Sequence, residues 1–384
     1  MDNNATTQID RTVLDAMMPY LTHDYANASS THQFGVGAYE AVKLARKQVA
    51  EIIDCEPHEV VFTSGATESI NLALKGVAER YESKGRHIVT LATEHSAVLD
   101  TCSYLEQRGY EVSYVGVDEK GLVDLDSLKS HLRQDTILVA VMYVNNETGV
   151  IQPINEISQL AHSVGAIFFS DCTQAVGKME ISVRSLDIDL LCFSGHKIYA
   201  PKGIGVLYVR NQAKPIKIPA LIHGGGHERG LRSGTLNVPG IVALGAACAL
   251  AQKHMLSDSR RISELRDYLE TELLKIDGTS INGDIENRLF NVTNICFENI
   301  DSDAMIMGLS NPDSSAPLIA VSNGSACTSA SIEPSHVLLA MGLSENQAFN
   351  CIRFSLGKNN TKEEIETTIA QVTAMAGLLR SMIS

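Results

Sequence analysis

Three residues of this sequence stand out, because each has a side chain that can take part in catalysis and each has small residues beside it. Asp171 follows the apolar run AIFFS, Lys197 lies in SGHKIYAPKG after the run DLLCFS, and Cys327 lies in VSNGSACTSASIEP. A lysine amine forms Schiff bases with carbonyl compounds, and a cysteine thiolate is a nucleophile. Taken alone, Asp171 and Lys197 could also form an ordinary ion pair, and Cys327 could be a loop cysteine without a function.

A small-residue turn precedes the first amphipathic stretch. The run EVVF is followed by TSGATESINLALKG, which places Ala66 and Thr67 at the start of a predicted helix. Free backbone N–H groups at a helix N-terminus bind anions, and Thr67 adds a hydroxyl. The segment predicts a phosphate site, although a plain strand-to-helix turn would have the same sequence.

Together these features match the needs of pyridoxal 5'-phosphate. This cofactor requires a lysine for its Schiff base, a carboxylate for its pyridinium nitrogen and a cradle for its phosphate. Lys197 and Asp171 would supply the first two, and Gln174 could hydrogen-bond the phenolic oxygen of the ring. His95, in TEHSAV after the run HIVTL, could stack on the ring or be an ordinary solvated loop histidine.

Short apolar runs must position these residues. Seven of them predict strands: EVVF at Glu59, HIVTL at His87, EVSYV at Glu111, TILVAVMYV at Thr136, AIFFS at Ala166, DLLCFS at Asp189 and GVLYV at Gly205. Helical patterns begin between most of them, near Ala66, Ala97, Leu125 and Pro153. Alternation of strands that are apolar on both faces with helices predicts an α/β fold with a mainly parallel sheet. Active sites of such sheets lie at the carboxyl ends of the strands.

The pattern changes after Gly240, where long helices replace the alternation. Strands are predicted at NVTNICFE and CIRFSL, and Thr361 with Glu364 forms a capping box that opens a final helix. We therefore expect a large cofactor-binding domain over residues 15–255. Residues 1–14 and 256–384 are expected to form a smaller α+β domain, with the Cys327 loop at about residues 310–332.

Composition limits the classes of partner. The chain has 384 residues and a formal net charge of −14, which argues against direct nucleic-acid binding as its main role. The longest apolar run is too short to cross a membrane, and the N-terminus lacks signal-peptide features. The eight cysteines show no zinc-site spacing and suit reduced thiols. We expect a cytoplasmic protein that acts on a small molecule or a protein.

Long motifs along the chain resemble one known family. They are DNNATT, FTSGATES, TEHSAV, VNNETGVIQP, DCTQAVGK, SGHKIYAPKGIGVLYVR, HGGGHERGLRSGT and SNGSACTSASIEPSHVLLAMG. In this order they resemble the cysteine desulfurases of the iron–sulfur-cluster and nitrogen-fixation type, which are class V aminotransferases of fold type I. The family usually has proline after DNNATT, where this chain has Gln8. Because that proline would mainly fix a turn, we expect no effect on the chemistry.

The resemblance implies roles for individual residues. His95 matches the histidine that stacks on the cofactor ring, and Arg353 in IRFS matches the arginine that binds the substrate carboxylate. Thr235 in RSGT matches a residue that reaches the phosphate of the neighbouring subunit, which implies a homodimer. The other matching positions contact the cofactor or its phosphate: Ala66, Thr67, Asn146, Asp171, Gln174, Ser194, His196 and Lys197. Asn146 is expected to lie at the substrate as well.

Cys327 takes its expected role from the same resemblance. In this family the loop cysteine attacks the sulfur of bound L-cysteine, which leaves L-alanine and an enzyme persulfide; His95 is a candidate to take the thiol proton. GSACTS resembles the branch with the longer catalytic loop. The sulfur would then pass to an acceptor such as an iron–sulfur scaffold or a thiolation enzyme, for cluster, tRNA or DNA modification. Selenocysteine could also be accepted.

Two other readings of the sequence stay open at this point. An aminotransferase or lyase on the same fold would share the cofactor site without needing Cys327, and a non-enzymatic assembly scaffold would need none of Lys197, Asp171 and Cys327. The presence of all three residues favours the desulfurase.

Overall fold

A computed structural model describes residues 1–212, 214–313, 316–324 and 333–382. Its helices are α1 Arg11–Thr22, α2 Gln33–Ile52, α3 Ala66–Tyr81, α4 Ser96–Glu106, α5 Leu125–His131, α6 Ile154–Ser163, α7 Val238–Leu273, α8 Ser302–Leu309, α9 His336–Ala340, α10 Glu345–Ala348 and α11 Lys362–Ser381. Its strands are β1 Val60–Thr63, β2 His87–Leu91, β3 Glu111–Val115, β4 Thr136–Ala140, β5 Ile167–Asp171, β6 Leu190–Ser194, β7 Gly205–Val209, β8 Thr279–Asn282, β9 Val292–Phe297 and β10 Cys351–Ser355.

The large sheet contains the seven strands predicted from the apolar runs, in the order β1-β7-β6-β5-β4-β2-β3. All neighbouring pairs are parallel except those of β7, which runs antiparallel to both β1 and β6. The predicted α/β fold with a mainly parallel seven-stranded sheet is confirmed. Because β7 alone is reversed, the carboxyl ends of the other six strands lie at the same edge.

Alternate residues of each strand pack on opposite faces of this sheet. In β1, Val60 and Phe62 pack in the cluster that contains α2 and α7 side chains, whereas Val61 packs with residues of α3 and α4. Both clusters consist of buried aliphatic and aromatic side chains. The two-sided burial explains why most positions of the strands other than β3 are apolar, as expected of a parallel sheet covered by helices.

The later part of the chain forms a second, antiparallel sheet in the order β10-β9-β8, with its own apolar cluster. Helices α8 and α11 pack together beside it, and α11 begins at the predicted capping box of Thr361 and Glu364. The N-terminal segment contacts the end of β10 in this sheet, where Asn3 N–H donates to the Ser355 carbonyl. The expected domain boundary at residue 255 lies inside the continuous helix α7, so the division into domains stays a prediction.

No helix in the described ranges is long and apolar enough to cross a membrane.

Candidate active site

A pocket of about 460 Å³ opens at the carboxyl edge of the large sheet. Segments that follow β1, β2, β4, β5 and β6 line it, together with the N-terminal segment and β10. Most of the predicted site residues lie in its wall: Ala66, Thr67, His95, Asn146, Asp171, Gln174, Ser194, His196, Lys197 and Arg353. The fold therefore brings together side chains separated by almost three hundred residues of sequence.

One wall of the pocket is the N-terminus of α3. This helix begins after Gly65 without a side-chain cap from any described residue, and its first two residues, Ala66 and Thr67, line the pocket. Gly205 must be glycine here, since a Cβ would lie 2.6 Å from the Cα of Gly65. Uncapped N–H groups at a helix N-terminus beside a pocket suit an anion.

Lys197 and Asp171 reach the pocket from neighbouring strands. Lys197 lies in the short helical turn after β6, and its Nζ donates to the carbonyls of Asn4 and Ala5 at 2.6 and 2.7 Å. Asp171 ends β5, is only 4% exposed, and accepts from Thr173 N at 2.9 Å and Cys192 Sγ at 3.5 Å. The carbonyl groups of Asn4 and Ala5 thus hold the lysine amine beside the N-terminal segment.

His95 caps the N-terminus of α4 through its ring. Its Nδ1 accepts from Ala97 N at 3.0 Å, so the neutral ring carries its hydrogen on Nε2. Burial lowers the pKa of His95, and the positive charge of Lys197 adds to this effect while Asp171 opposes it. A neutral ring with Nε2–H suits stacking and proton donation. Accepting a proton on Nδ1 would require the bond to Ala97 to break.

His196 is also held neutral. Burial, with the nearby charges of Lys197 and Lys202, lowers the pKa of His196 to about 4. Its Nδ1 lies 3.1 Å from Thr6 Oγ1. A neutral imidazole at this position can donate one hydrogen bond to an anion without adding a charge.

Arg353 approaches the pocket from β10 of the smaller sheet. Its Nη1 donates to the Asn146 carbonyl at 3.0 Å, and its Nη2 pairs with Asp2 Oδ1 at 2.7 Å. The side chain is buried, yet its Nε–H has no hydrogen-bond partner among the described residues. An unpaired buried guanidinium N–H beside a pocket is costly unless a ligand accepts from it, and carboxylates are its best partners.

One predicted residue that the structure describes is not in the pocket wall, and another lies outside the described residues. Thr235 is exposed and lies outside the pocket lining of its own chain. Cys327 lies outside the described residues; the nearest described residue before it is Gly324, which does line the pocket.

The seven other cysteines of the chain are buried free thiols, and none of them lines the pocket. Burial raises the pKa of the thiols of Cys55, Cys102, Cys172, Cys192 and Cys248. In the cross-strand pair of β9 and β10, the hydrogen bond between the thiols raises the pKa of Cys351 and lowers that of Cys296. None of these thiols combines a pocket position with easy ionisation.

Sequence reasoning missed several residues at this site. The carbonyls of Asn4 and Ala5 hold Lys197. The buried Glu147 accepts a hydrogen bond from Ser335 Oγ, and Ser335 follows the Cys327 segment in the sequence. DNNATT and VNNETG were both visible as motifs. Backbone carbonyls leave no signal in a single sequence, however, and a lone glutamate in a polar stretch reads as a surface residue.

The residues fit pyridoxal 5'-phosphate. The pocket holds a lysine amine, a buried carboxylate, an uncapped helix N-terminus and a neutral histidine, which are the groups that the aldehyde, ring nitrogen, phosphate and ring face of this cofactor require. Arg353, whose buried Nε–H has no partner among the described residues, lines the same wall, and a guanidinium suits the carboxylate of an amino acid.

Comparison with known proteins agrees with this geometry. The family model described as aminotransferase class-V matches residues 1–368. The cysteine desulfurase IscS of Pectobacterium carotovorum subsp. carotovorum (strain PC1) is 49% identical to this chain over 385 residues, which cover 100% of the chain and 93% of that protein.

Solved structures agree as well. A NifS-like protein is similar with a TM-score of 0.90 at 38% identity, covering 98% of both chains. SspA in complex with cysteine is similar with a TM-score of 0.80 at 37% identity, covering 94% of this chain and 99% of that one. The chain therefore belongs to the aminotransferase class-V family, whose members use pyridoxal 5'-phosphate, and within it to the cysteine desulfurases.

Proposed function

We propose that this cysteine desulfurase takes sulfur from L-cysteine in the pocket at the carboxyl edge of the large sheet and collects it on Cys327. In the overall reaction the Cβ–S bond of the substrate breaks and an S–S bond to Cys327 Sγ forms. Carbon keeps the electron pair and takes a proton, so the products are L-alanine and a persulfide, and no external oxidant is needed. The observation that carries the proposal is the convergence of Lys197, Asp171 and Arg353 on one pocket that Gly324 also lines.

The cofactor would be held by residues of the pocket wall. Lys197 would carry it covalently, Asp171 would keep a proton on the pyridine nitrogen, and His95 would stack on the ring. The N–H groups of Ala66 and Thr67, with Ser194 and His196, would bind the phosphate. When bound, pyridoxal 5'-phosphate withdraws electrons from the substrate α-carbon, which makes the later loss of sulfur possible.

The substrate would be oriented by its carboxylate. Arg353 offers Nε–H, and its two Nη groups are already fixed by Asn146 and Asp2. A guanidinium fixed in this way loses little freedom when it binds a carboxylate, because its plane is set beforehand. Asn146 lies beside it in the same wall and would contact the substrate or the cofactor.

Covalent geometry and the surroundings of the other thiols support Cys327 as the sulfur acceptor. A residue three positions after Gly324 has its Cα within about 11 Å of the Gly324 Cα, since consecutive Cα atoms are about 3.8 Å apart. Gly324 lines the pocket, whereas the described thiols are buried elsewhere.

Lys197 can move a proton between substrate carbons, and the Nε2–H of His95 can supply one.

We also propose a homodimer. Large apolar side chains are exposed around the start of α2, with Tyr25 78%, Phe34 75% and Tyr39 53% exposed. A hollow of about 660 Å³ next to them is lined by Tyr20, His32 and Phe34 among others. Exposed aromatic side chains in one region are typical of protein interfaces. The exposed Thr235 would then reach the phosphate site of the second copy.

The persulfide sulfur would pass to an acceptor protein, such as an iron–sulfur scaffold or a thiolation enzyme. The similarity to IscS supports this proposal. The seven described cysteines are all free thiols, which suits the reducing cytoplasm in which we expect the enzyme to act.

The experiment uses the purified full chain loaded with pyridoxal 5'-phosphate and supplied with L-cysteine, with and without a reductant. We expect L-alanine and, under reductant, an equal amount of sulfide. Cys327→Ser should keep the cofactor colour and lose turnover, whereas Lys197→Ala should lose the covalent attachment of the cofactor. Turnover by Cys327→Ser at the parent rate would instead favour another enzyme of this fold.

A further inference from the structure

Lys178 lies directly behind the pocket residue Gln174. Its Nζ donates to Gln174 Oε1 at 2.8 Å, and the amide Nε2 of Gln174 donates to the Asn4 carbonyl at 3.0 Å. Gln174 is 4% exposed and lines the pocket, while Lys178 is absent from the pocket lining. The lysine therefore contacts the site through the glutamine.

These two contacts leave the amide of Gln174 only one favourable orientation. The Asn4 carbonyl has acceptors only, so Nε2 must face it, and Oε1 is then the atom that accepts from the Lys178 amine. The Nε2 group has a second hydrogen, which is free to point into the pocket. Without the lysine, only the Asn4 carbonyl would oppose an inverted amide, which would present its oxygen to the pocket instead.

We propose that Lys178 is a positioning residue that fixes Gln174 so that it presents an N–H donor, and never a carbonyl oxygen, to the phenolic oxygen of pyridoxal 5'-phosphate. This inference rests on the proposed function of the pocket. It also gives a physical reason for the spacing in the motif DCTQAVGK.

The backbone of this motif brings the two residues together. Val176 N–H and Met179 N–H donate to the carbonyls of Cys172 and Ala175, which forms a helical turn after β5. This turn brings the side chains of Gln174 and Lys178 within hydrogen-bond distance of each other. Gly177 has a φ of +77°, and a Cβ there would lie 2.9 Å from Cγ2 of Ile198, so the turn packs closely on the segment after Lys197.

A second observation separates Lys178 from an ordinary structural lysine. It makes no ion pair with a carboxylate within the described ranges, and its charged neighbours Lys197 and Arg353 are both positive. Burial, together with these two charges, lowers the pKa of Lys178 to about 7. Burial of a cation among positive charges costs desolvation free energy, and the hydrogen bond to Gln174 offsets this cost only in part.

The test measures binding of pyridoxal 5'-phosphate to the cofactor-free full chain, with the absorption maximum of the bound cofactor as a second readout. The variants are Lys178→Met, Gln174→Ala and both together, with Lys178→Arg as the variant that keeps the donor. We expect Lys178→Met to raise the Kd roughly tenfold and to shift the absorption maximum. Lys178→Arg keeps a donor, so its Kd and its absorption maximum should stay close to those of the parent.

The double variant separates positioning from a structural role. If Lys178 acts through Gln174, then Lys178→Met should change the Kd less than about twofold when Gln174 is already alanine. An equal loss in both backgrounds, or no loss in either, would overturn the proposal. Failure of the parent chain to bind the cofactor at all would instead overturn the proposed function.

Should Lys178→Met fail to fold, Gln174→Glu carries the test. A glutamate would pair with Lys178 through one oxygen and present its second oxygen to the pocket. We expect weaker cofactor binding and a shifted absorption maximum, since two acceptors would then face each other. Binding with the affinity and spectrum of the parent would overturn the proposal.

Discussion

The Arg353 guanidinium combines fixed partners with one unused donor. Asn146 and Asp2 hold its two Nη groups, and Nε–H faces no acceptor among the described residues. Arg353 therefore differs from the many arginines whose role ends with an ion pair. The side chain is only 5% exposed, so water has little access to it.

Arg353→Lys should raise the KM for L-cysteine by roughly tenfold to a hundredfold, because an ammonium group cannot replace the planar donors of a guanidinium. Steady-state kinetics measures this change, and the spectrum of the bound cofactor should stay unaltered. Asp2→Asn is the matched control, since it weakens the same ion pair and keeps the guanidinium. Equal increases in KM for both variants would show that Arg353 acts only by holding Asp2.

At the residue scale, the sequence alone predicted those site residues that are charged and directly follow apolar strands. Lys197 and Asp171 stand at strand ends among small residues, and both line the pocket. The roles of Asn146 and Arg353 came only from the resemblance to a family, because an asparagine in a loop and an arginine in a strand have many explanations. The contact of Lys178 with Gln174 depends on a turn whose direction Gly177 sets, and no pattern of residue types indicates that direction.

At the scale of elements, burial decided which predictions succeeded. Six of the seven strands of the large sheet are buried along their whole length and were visible as apolar runs. Strand β3, at the sheet edge, is partly exposed and was visible from its valine and tyrosine residues. Strand β8, with the sequence TSIN and partial exposure, gave no such pattern. The predicted boundary at residue 255 illustrates another limit, since helix α7 passes through it with one continuous backbone.

Helix α6 is joined to the sheet by an ion pair that depends on pH. The His162 ring lies 2.8 Å from Asp189 Oδ2 and 3.0 Å from Asp187 Oδ2, and Asp189 also accepts from Phe168 N in β5. The hydrogen bond to Asp189 raises the pKa of His162, against the opposing effect of burial. The charged ring therefore stabilises the fold fully below its unfolded pKa of about 6.5, and this contribution disappears as pH rises through the raised folded pKa.

His162→Asn should accordingly lower the free energy of unfolding by about 0.5–1 kcal/mol more at about pH 5.5 than at about pH 8.5. Denaturant unfolding at the two pH values measures the difference. His254→Asn serves as control, because His254 is exposed on α7. A loss that is equal at both pH values, or larger at the higher one, would contradict this account of α6.

At the scale of the whole molecule, the surface carries two kinds of information. The net charge of −14 keeps copies of the chain apart at long range, and exposed aromatic side chains around the start of α2 favour close association. Charge could be counted from the sequence. The exposure of Phe34 and Tyr39 on α2 could not, because apolar residues in a helical pattern are normally read as core.

Phe34→Asp should convert a dimer into monomers of 41.5 kDa at concentrations where the parent is dimeric. An unpaired carboxylate in an apolar contact should weaken association at least about a hundredfold. Sedimentation analysis measures the change, and Met307→Asp is the control, because Met307 is 72% exposed on α8. A parent chain that is already monomeric, or a Phe34→Asp variant that stays dimeric, would contradict the proposed interface.

The central claim is that sulfur from L-cysteine is collected on Cys327 and on none of the seven buried thiols. The most direct test is a single turnover of the cofactor-loaded chain with L-cysteine and no reductant, followed by peptide mass spectrometry to find which cysteine has gained one sulfur atom. The account predicts that the added sulfur appears on the Cys327 peptide alone and that one L-alanine forms for each persulfide. Sulfur found on another cysteine, or L-alanine formed with no persulfide on Cys327, would contradict it.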